Sequence, residues 1–164
     1  MITLITGGVK SGKSSRALEL ARKQFQKPIH FIATAEALDE EMRIRIARHR
    51  EERGEDFETY EEPVDIDKAI ITAGSNTVLD CIPVWVNNLI YYNRESEFSI
   101  ILAAFLFNIS RNCIVVTNET GLGNIPFDET TRRYNTLLAE ANRKIAAVAD
   151  VVEFMVSGIP LKVK

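Results

Sequence analysis

The sequence predicts an α/β protein: a mostly parallel β-sheet with helices on both faces. Short runs of β-branched and aliphatic residues alternate with longer stretches whose apolar residues recur at helical spacing. Two of the short runs, TVLDCI at 77–82 and CIVVT at 113–117, are continuously apolar, as expected for strands that are covered on both faces. Strands that alternate with helices are joined by crossovers, and crossovers make neighbouring strands parallel.

The individual elements follow from the same patterns. Residues 15–25 and 128–149 each carry an apolar stripe of helical period. The stripe of the second helix consists of Tyr134, Leu138, Ala141, Ile145 and Val148. A charged helix is predicted at 39–53, with Asp39 as its N-cap and Gly54 as its stop. Strands are predicted at 2–6, 29–33, 77–82, 113–117 and 151–156, and the closing LKVK is predicted to be an antiparallel edge strand.

Chain length, net charge and composition limit the class of protein. A chain of 164 residues is long enough for one full core, so we expect a single domain over 1–164. The net charge of −3 disfavours a nucleic-acid binder that works through general basicity. Cys81 and Cys113 lie in apolar runs and are expected to be buried thiols. The apolar run 100–107 is too short to cross a bilayer, and no signal segment precedes the glycines, so a cytoplasmic protein is expected.

A glycine-rich loop lies between the first predicted strand and the first predicted helix. Its sequence, GGVKSGKS, fits the pattern G-x-x-x-x-G-K-[ST], and its members are Gly7, Gly8, Val9, Lys10, Ser11, Gly12, Lys13 and Ser14. Glycines let the backbone N–H groups turn inward onto phosphate oxygens, and the following helix directs its positive end at the same anion. Lys13 is expected to act on the β- and γ-phosphates, and the Ser14 hydroxyl to bind Mg²⁺. A glycine turn without a ligand is the alternative.

His49 stands among arginines in RIRIARHREER. Met42, Ile46 and His49 recur at helical spacing, so the imidazole is expected on the inward face of its helix. Positive neighbours oppose protonation, and a neutral imidazole is a nucleophile beside groups that bind phosphate. The alternative is a solvated Arg/Glu helix that contains a histidine by chance. The other histidine, His30, is expected to be a packed strand residue.

Acidic residues follow two of the predicted strands. Asp80 ends the run TVLD and is expected to hold Mg²⁺ or its waters, with a turn cap as the alternative. Glu119 follows CIVVT at the carboxyl edge, where open α/β sheets bind ligands, and a purely structural loop is the alternative there. Trp85 is expected in the core or in a subunit contact.

Five stretches together resemble one family. They are TGGVKSGKS, FIATAEALDEEMRIRIARHR, LDCIPVWVNNL, VTNETGLGNIP and VSGIPLKVK, and they run nearly end to end. They resemble the bifunctional adenosylcobinamide kinase / adenosylcobinamide-phosphate guanylyltransferases of cobalamin assembly. The resemblance implies a RecA-like P-loop NTPase fold and a homotrimer. It also implies ATP and GTP as substrates with Mg²⁺, and adenosylcobinamide and adenosylcobinamide phosphate as acceptors.

Matched residue by residue, the family's guanylylated histidine falls on His49. Nucleotide contacts are implied for the glycine loop and for Thr34, Ala35, Glu36, Arg50, Glu51, Glu52, Arg53, Glu61 and Asp80. The match at Glu61 lies in FETYEEP, where Glu62 is an alternative. The chain departs from the family pattern in two places: it has Asp80 where a glutamate is usual, and it is shorter over 91–112.

The resemblance implies two reactions at one site: phosphorylation of adenosylcobinamide, then GMP transfer through a guanylyl-histidine. It leaves open whether ATP or GTP feeds the kinase step, and whether Asp80 or Glu119 accepts the substrate proton. One alternative is a plain small-molecule P-loop kinase, which gives His49 no task. Others are a RecA-like ATPase or binding module without transferase chemistry, and a relative that retains only guanylylation.

Overall fold

The structure, a computed structural model, describes residues 1–110, 112–123 and 125–164. Arg111, in the shortened segment, and Asn124, in one of the stretches that carry the resemblance, lie outside the described residues. The strands are β1 (Ile2–Gly7), β2 (Ile29–Ala33), β3 (Phe57–Glu61), β4 (Thr77–Asp80), β5 (Cys113–Val116), β6 (Val151–Val156) and β7 (Ile159–Lys162). The α-helices are α1 (Lys13–Gln24), α2 (Glu40–Arg53), α3 (Ile66–Ala73), α4 (Ile82–Tyr91), α5 (Phe98–Asn108) and α6 (Glu129–Val148). Short 3₁₀ turns occupy Gly54–Asp56 and Glu95–Glu97.

Within the described residues, seven strands form one sheet in the order β3-β2-β4-β5-β1-β6-β7. Each neighbouring pair is parallel except β6 and β7, which are antiparallel. The predicted α/β class and the antiparallel terminal edge strand are therefore confirmed. Because β1, β2, β4 and β5 run the same way, the loops that follow them meet at one edge of the sheet.

Helices cover both faces of the sheet with separate apolar layers. One layer joins α3, α4, α5 and α6 to the sheet and contains Trp85, which is fully buried and stacks on Phe98 with ring centroids 5.5 Å apart. The other layer lies under α1 and includes Phe31 and Phe57. Trp85 is thus a core residue, as one of the two expectations had it. No helix of the described ranges is long and apolar enough to span a bilayer.

Most predicted elements have the expected position, and a few differ. The charged helix begins after Asp39, whose carboxylate accepts the N–H of Met42 at 2.7 Å, and it ends at Gly54 with φ of 63°. The predicted strand 77–82 stops earlier, at Asp80, because Ile82 already begins α4, with Pro83 in its first turn. Four elements of the structure, β3, α3, α4 and α5, were not predicted as elements.

A buried polar network fixes the carboxyl ends of β2 and β4. The Thr34 hydroxyl donates to the Cys81 carbonyl and accepts from the Cys81 N–H, both at 2.9 Å. The side-chain amide of Asn88 donates to the carbonyls of Thr34 at 2.8 Å and Pro63 at 2.9 Å. Since buried polar groups are stable only when they are hydrogen-bonded, this network determines how the loops leave the sheet.

We expect Asn88→Ala to lower the free energy of unfolding by roughly 3 kcal/mol, because two carbonyls lose their donor in a buried site. Urea titration followed by circular dichroism measures the change. The matched control is Asn87→Ala at the exposed neighbouring position, which should change that free energy by less than about 0.5 kcal/mol. Equal effects of the two substitutions would show that the network does not stabilise the fold.

Candidate active site

The glycine-rich loop turns sharply between β1 and α1. Gly7 has φ of 149°, and a Cβ there would lie 2.6 Å from the carbonyl oxygen of Met155 and 2.9 Å from the Ser11 hydroxyl. Gly12 is left-handed, with φ of 91°, and caps the start of α1. Only glycine fits these two positions at low cost, so the pattern of glycines in the motif has a direct steric reason.

Neighbouring segments hold the loop from two sides. The Glu119 N–H donates to the Gly7 carbonyl at 3.1 Å, which ties the loop after β5 to the glycine loop. The Gly158 N–H, in the β6–β7 turn, donates to the Ser11 carbonyl at 3.1 Å. The Glu119 carboxylate accepts the N–H of Gly121 at 2.7 Å, so it stabilises its own loop. The glycine loop is therefore preorganised by the sheet edge around it.

Lys13 lies inside this loop and is buried. Its Nζ donates to the Gly8 carbonyl at 2.5 Å and lies 3.5 Å from the Ser11 hydroxyl. Burial lowers the pKa of Lys13, and the charge of Asp80 partly opposes that effect. The ammonium group is thus directed into the loop. Phosphate oxygens bound there would supply negative charge to pair with this buried ammonium.

Asp80 lies at the end of β4 and faces the start of α1. Burial raises the pKa of Asp80, while a hydrogen bond from Ser14 and the charges of His49, Arg53 and Arg45 act in the opposite direction. The contact of Arg53 with Phe31 of β2, the strand that pairs with β4, brings the end of α2 to the same part of the sheet. Three residues that are far apart in sequence, Ser14, His49 and Asp80, meet at one edge of the sheet.

Ser14 and Asp80 have the donor set that Mg²⁺ prefers. The Ser14 hydroxyl and the neighbouring Asp80 carboxylate offer two hard oxygen ligands, and Mg²⁺ takes its remaining ligands from water and substrate phosphates. The described ranges hold no cluster of three or more His, Cys, Asp or Glu that could bind a metal ion. A magnesium ion that shares its ligands with a nucleotide fits these residues better than an all-protein metal site does.

The inward face of α2 has the composition that its spacing predicts. Met42, Ile46 and His49 are partly buried, and Arg53 at the end of the same face is buried. The Arg53 guanidinium lies 4.2 Å from the ring centroid of Phe31, a cation–π contact. Burial lowers the pKa of Arg53, and Asp80 counteracts this shift. His49 is accordingly held on a face that turns toward the sheet.

Two clefts border α2 on the side of β3. One has a volume of about 490 Å³ and is lined by Arg50, Arg53, Gly54, Thr59 and Glu61. The other, of about 610 Å³, is lined by Ala35, Glu36, Ala37, Arg43, Ile46, Ala47, Arg50, Glu61 and Pro63. Both volumes are in the range of small-molecule sites. Five of the residues implied as nucleotide contacts, Ala35, Glu36, Arg50, Arg53 and Glu61, therefore line two neighbouring clefts.

The structure distinguishes between the two glutamates at the end of β3. Glu61 is exposed, forms an ion pair with Arg50 and faces both clefts. The Glu62 carboxylate accepts the N–H groups of Val64 at 2.9 Å and Asp65 at 2.8 Å, so it caps the turn before α3. Glu61 is thus the one with a carboxylate available to a ligand in the clefts.

Other implied contacts have different surroundings. The Thr34 side chain is bound to the backbone of Cys81 in both directions, which makes it a structural residue of the sheet edge. Glu51 and Glu52 are exposed, and Glu52 pairs with Arg48 along the helix at 3.3 Å. Glu36 accepts the Tyr92 hydroxyl at 2.7 Å. Their contact with a nucleotide stays a prediction.

The surroundings of two further side chains near this edge, Cys81 and His30, indicate their roles. Burial and the charge of Asp80 raise the pKa of the Cys81 thiol to about 12, so Cys81 is unsuited to act as a nucleophile. His30 lies in β2, with its Nδ1 3.4 Å from the Tyr60 hydroxyl, and it is the packed strand residue that its context predicts.

Two contributions were missed at the level of sequence. Arg45 acts electrostatically on both Lys13 and Asp80, although its sequence position marked it only as a neighbour of His49. Asn88 positions the Thr34 turn. The pair of amides in the apolar run VWVNNLI pointed to a polar contact, but which of the two is buried and what it binds are set by tertiary structure.

We expect the two glutamates of β3 and its following turn to respond differently to alanine. Glu62→Ala should lower the free energy of unfolding by about 2 kcal/mol, because two N–H groups lose a charged acceptor. Glu61→Ala should change that free energy by less than about 0.5 kcal/mol, since exposed ion pairs contribute little. The same substitution should weaken GTP binding about tenfold, because a charged acceptor is lost. Thermal melts and calorimetric GTP titration measure both effects. Stronger loss of affinity in Glu62→Ala would reverse the assignment.

Comparison with known proteins identifies the family. Residues 3–163 match the family described as cobinamide kinase / cobinamide phosphate guanyltransferase. The bifunctional adenosylcobalamin biosynthesis protein CobP of Pseudomonas aeruginosa is 36% identical over 171 residues, which cover 100% of this chain and 98% of that protein. The bifunctional adenosylcobalamin biosynthesis protein CobU of Escherichia coli is 31% identical over 183 residues and that of Salmonella typhimurium 32% over 184, each with 100% of both chains covered.

A solved structure agrees with this fold. The flagellar accessory protein FlaH from Methanocaldococcus jannaschii has a TM-score of 0.55 to this chain, with 99% of this chain and 77% of that chain covered. At 13% identity the likeness concerns the fold alone. The family match and the full-length relatives concern more than the fold, and on that basis this chain belongs to the cobinamide kinase / cobinamide phosphate guanyltransferase family.

Proposed function

We propose that this chain catalyses two consecutive transfers in adenosylcobalamin biosynthesis. In the first, adenosylcobinamide is phosphorylated by ATP or GTP. In the second, GMP passes from GTP to adenosylcobinamide phosphate through a covalent guanylyl group on His49, giving adenosylcobinamide-GDP. Membership of a family described by both activities supports the pair of reactions. The shared sheet edge of Ser14, Asp80 and His49 supports the covalent route.

The kinase step needs positioning and charge stabilisation more than covalent chemistry. The substrate hydroxyl oxygen attacks the γ-phosphorus, the bond to the bridging oxygen breaks, and the nucleoside diphosphate leaves as the hydroxyl proton is lost. Lys13 and the N–H groups of the glycine loop stabilise the charge that builds on the phosphoryl oxygens. Mg²⁺ held by Ser14, Asp80 and the nucleotide would neutralise part of the triphosphate charge.

The guanylyl step uses an imidazole nitrogen as nucleophile. A neutral His49 nitrogen attacks the α-phosphorus of GTP, a P–N bond forms, and pyrophosphate leaves with the electrons of the broken P–O bond. An oxygen of adenosylcobinamide phosphate then attacks the same phosphorus, and the P–N bond breaks to return His49. Arg45 and Arg53 lie near this edge and offset the negative charge of both partners.

One observation carries the proposal: His49 is partly buried on a helix whose last turn is hydrogen-bonded to α1 through Arg22 and packs on Phe31, on the sheet face that α1 covers. A nucleotide in the loop would therefore have the imidazole on the same side of the sheet as its phosphates. A plain P-loop kinase needs the loop and Asp80 but gives no reason for an inward histidine between arginines.

We also propose that both reactions take place in the cytoplasm. Cys81 and Cys113 are free thiols, which suits a reducing cytoplasm where the nucleotides are available. The trimer implied by the resemblance stays a prediction.

His49→Ala should abolish transfer of label from α-³²P-GTP to the protein while cobinamide phosphorylation stays within about twofold of wild type, because only the second reaction uses the imidazole. Intact-mass spectrometry after incubation with GTP and Mg²⁺ should find one added GMP in the wild type, on the peptide that contains His49. His30→Ala is the matched control and should be labelled normally. Undiminished labelling of His49→Ala would exclude this residue as the nucleophile.

Lys13→Ala should slow both reactions about a hundredfold or more, because a charge that stabilises the transition state is lost. The folded protein should persist, since burial already disfavours the Lys13 ammonium and its removal relieves that penalty. Steady-state assays of the two activities, with a thermal melt of each sample, measure this. Lys23→Ala, on the exposed side of the same helix, is the control. A loss confined to one activity would indicate separate nucleotide sites.

A further inference from the structure

The helix that carries His49 has little apolar packing. Arg53 is the buried residue of α2, while Met42, Ile46 and His49 are partly buried and the remainder of the helix is exposed. Most helices in proteins are stabilised by the burial of an apolar face, and this one buries little. Its position relative to the glycine loop must therefore depend on specific polar contacts.

Arg22 of α1 supplies such contacts at the C-terminal end of α2. One guanidinium nitrogen, Nη2, donates to the carbonyls of Glu52 at 2.9 Å and Arg53 at 3.0 Å. Its Nε donates to the Asp56 carboxylate at 3.3 Å, and the guanidinium lies 5.3 Å from the ring centroid of Phe57. The last carbonyls of a helix have no partner within the helix, and a cation there also opposes the negative end of the helix dipole.

The two helices joined by Arg22 bear the two halves of the site. Helix α1 begins with Lys13 and Ser14, and α2 ends one turn after His49. In an α-helix the N–H of residue 53 bonds to the carbonyl of residue 49, so a constraint on the last turn also constrains the imidazole. Arg22 thus connects the backbone around the histidine to the helix that starts at the glycine loop.

We propose that Arg22 is a positioning residue for guanylyl transfer, which fixes the last turn of α2 against α1 and so keeps His49 within reach of the α-phosphorus. This inference rests on the proposed role of His49 as the nucleophile. Phosphorylation of cobinamide does not use the imidazole, and the glycine loop is anchored separately by Glu119 and Gly158. Loss of Arg22 therefore slows one reaction and spares the other.

The effect of removing Arg22 is partial, because a second anchor remains. The contact of Arg53 with Phe31, at 4.2 Å, still holds the end of α2 to the sheet. A displacement of about an ångström at a reacting centre costs up to a hundredfold in rate. Because the contact of Arg53 with Phe31 remains, we expect the loss in Arg22→Ala to be about tenfold. Lysine at this position places a charge near the carbonyls but cannot form the same set of contacts, so Arg22→Lys should recover part of the rate.

The experiment compares wild type, Arg22→Ala, Arg22→Lys and Lys23→Ala. Lys23 is the matched control, since it is the neighbouring basic residue and pairs with Glu19 of its own helix at 2.6 Å. At saturating GTP, Arg22→Ala should be labelled about tenfold more slowly than wild type, Arg22→Lys at a rate between the two, and Lys23→Ala normally. All four should phosphorylate cobinamide within about twofold of one another.

Hydrogen exchange of backbone amides provides the second measurement. In Arg22→Ala the amides of residues 50–53 should exchange faster than in wild type, while those of β1 and the first turn of α1 should not change. A parallel fall in both activities, or unchanged exchange at 50–53, overturns the proposal. If the wild type itself takes up no label, the histidine step fails, and the exchange rates then decide independently whether Arg22 fixes α2.

Discussion

The carboxyl edge of the sheet holds charges that its surroundings disfavour. Burial is the largest cause of the pKa shifts of Lys13, Asp80 and Arg53, and each shift runs against the charged form of its residue. Such an arrangement costs stability in the free protein. In the proposed transfers, fixed charges of this kind would stabilise a developing phosphoryl charge without having to reorganise. The apolar layers on both faces of the sheet supply the stability that offsets this cost.

The two halves of the site are held by different forces. The glycine loop is bound by the backbone of the β5 and β6–β7 segments and follows a central strand, so it is part of the rigid sheet. Helix α2 lies against the outer strands β2 and β3 and is held by ion pairs, a cation–π contact and hydrogen bonds to its terminal carbonyls. The difference matters for the proposed two-step transfer, in which a nucleophile guanylylated in one step would have to be reached by a second substrate in the next.

The sequence predicts local order well where the pattern is strong, as in β2, β6, the long helix α6 and the capped ends of α2. The prediction fails where one apolar run contains both the end of a strand and the start of a helix, because the composition does not change between them. The run 77–82 reads as one strand, yet the chain leaves the sheet at Asp80 because the Thr34–Cys81 hydrogen bonds turn it there. The same limit applies to Glu61 and Glu62, which are adjacent and chemically alike. Their roles differ only because the turn before α3 uses the Glu62 carboxylate as its cap.

The departures from the family pattern find physical accommodation in this fold. The shorter segment between α4 and β5 still forms α5, and its Phe98 stacks on Trp85, so this segment completes the core. Where the resemblance leads us to expect a glutamate, Asp80 has a side chain shorter by one methylene. The shorter carboxylate still lies close enough to Ser14, at the start of α1, for the hydroxyl to lower the pKa of Asp80 against the effect of burial. The glycine loop is fixed by its own backbone contacts, so the position of Ser14 relative to β4 does not depend on the length of the Asp80 side chain.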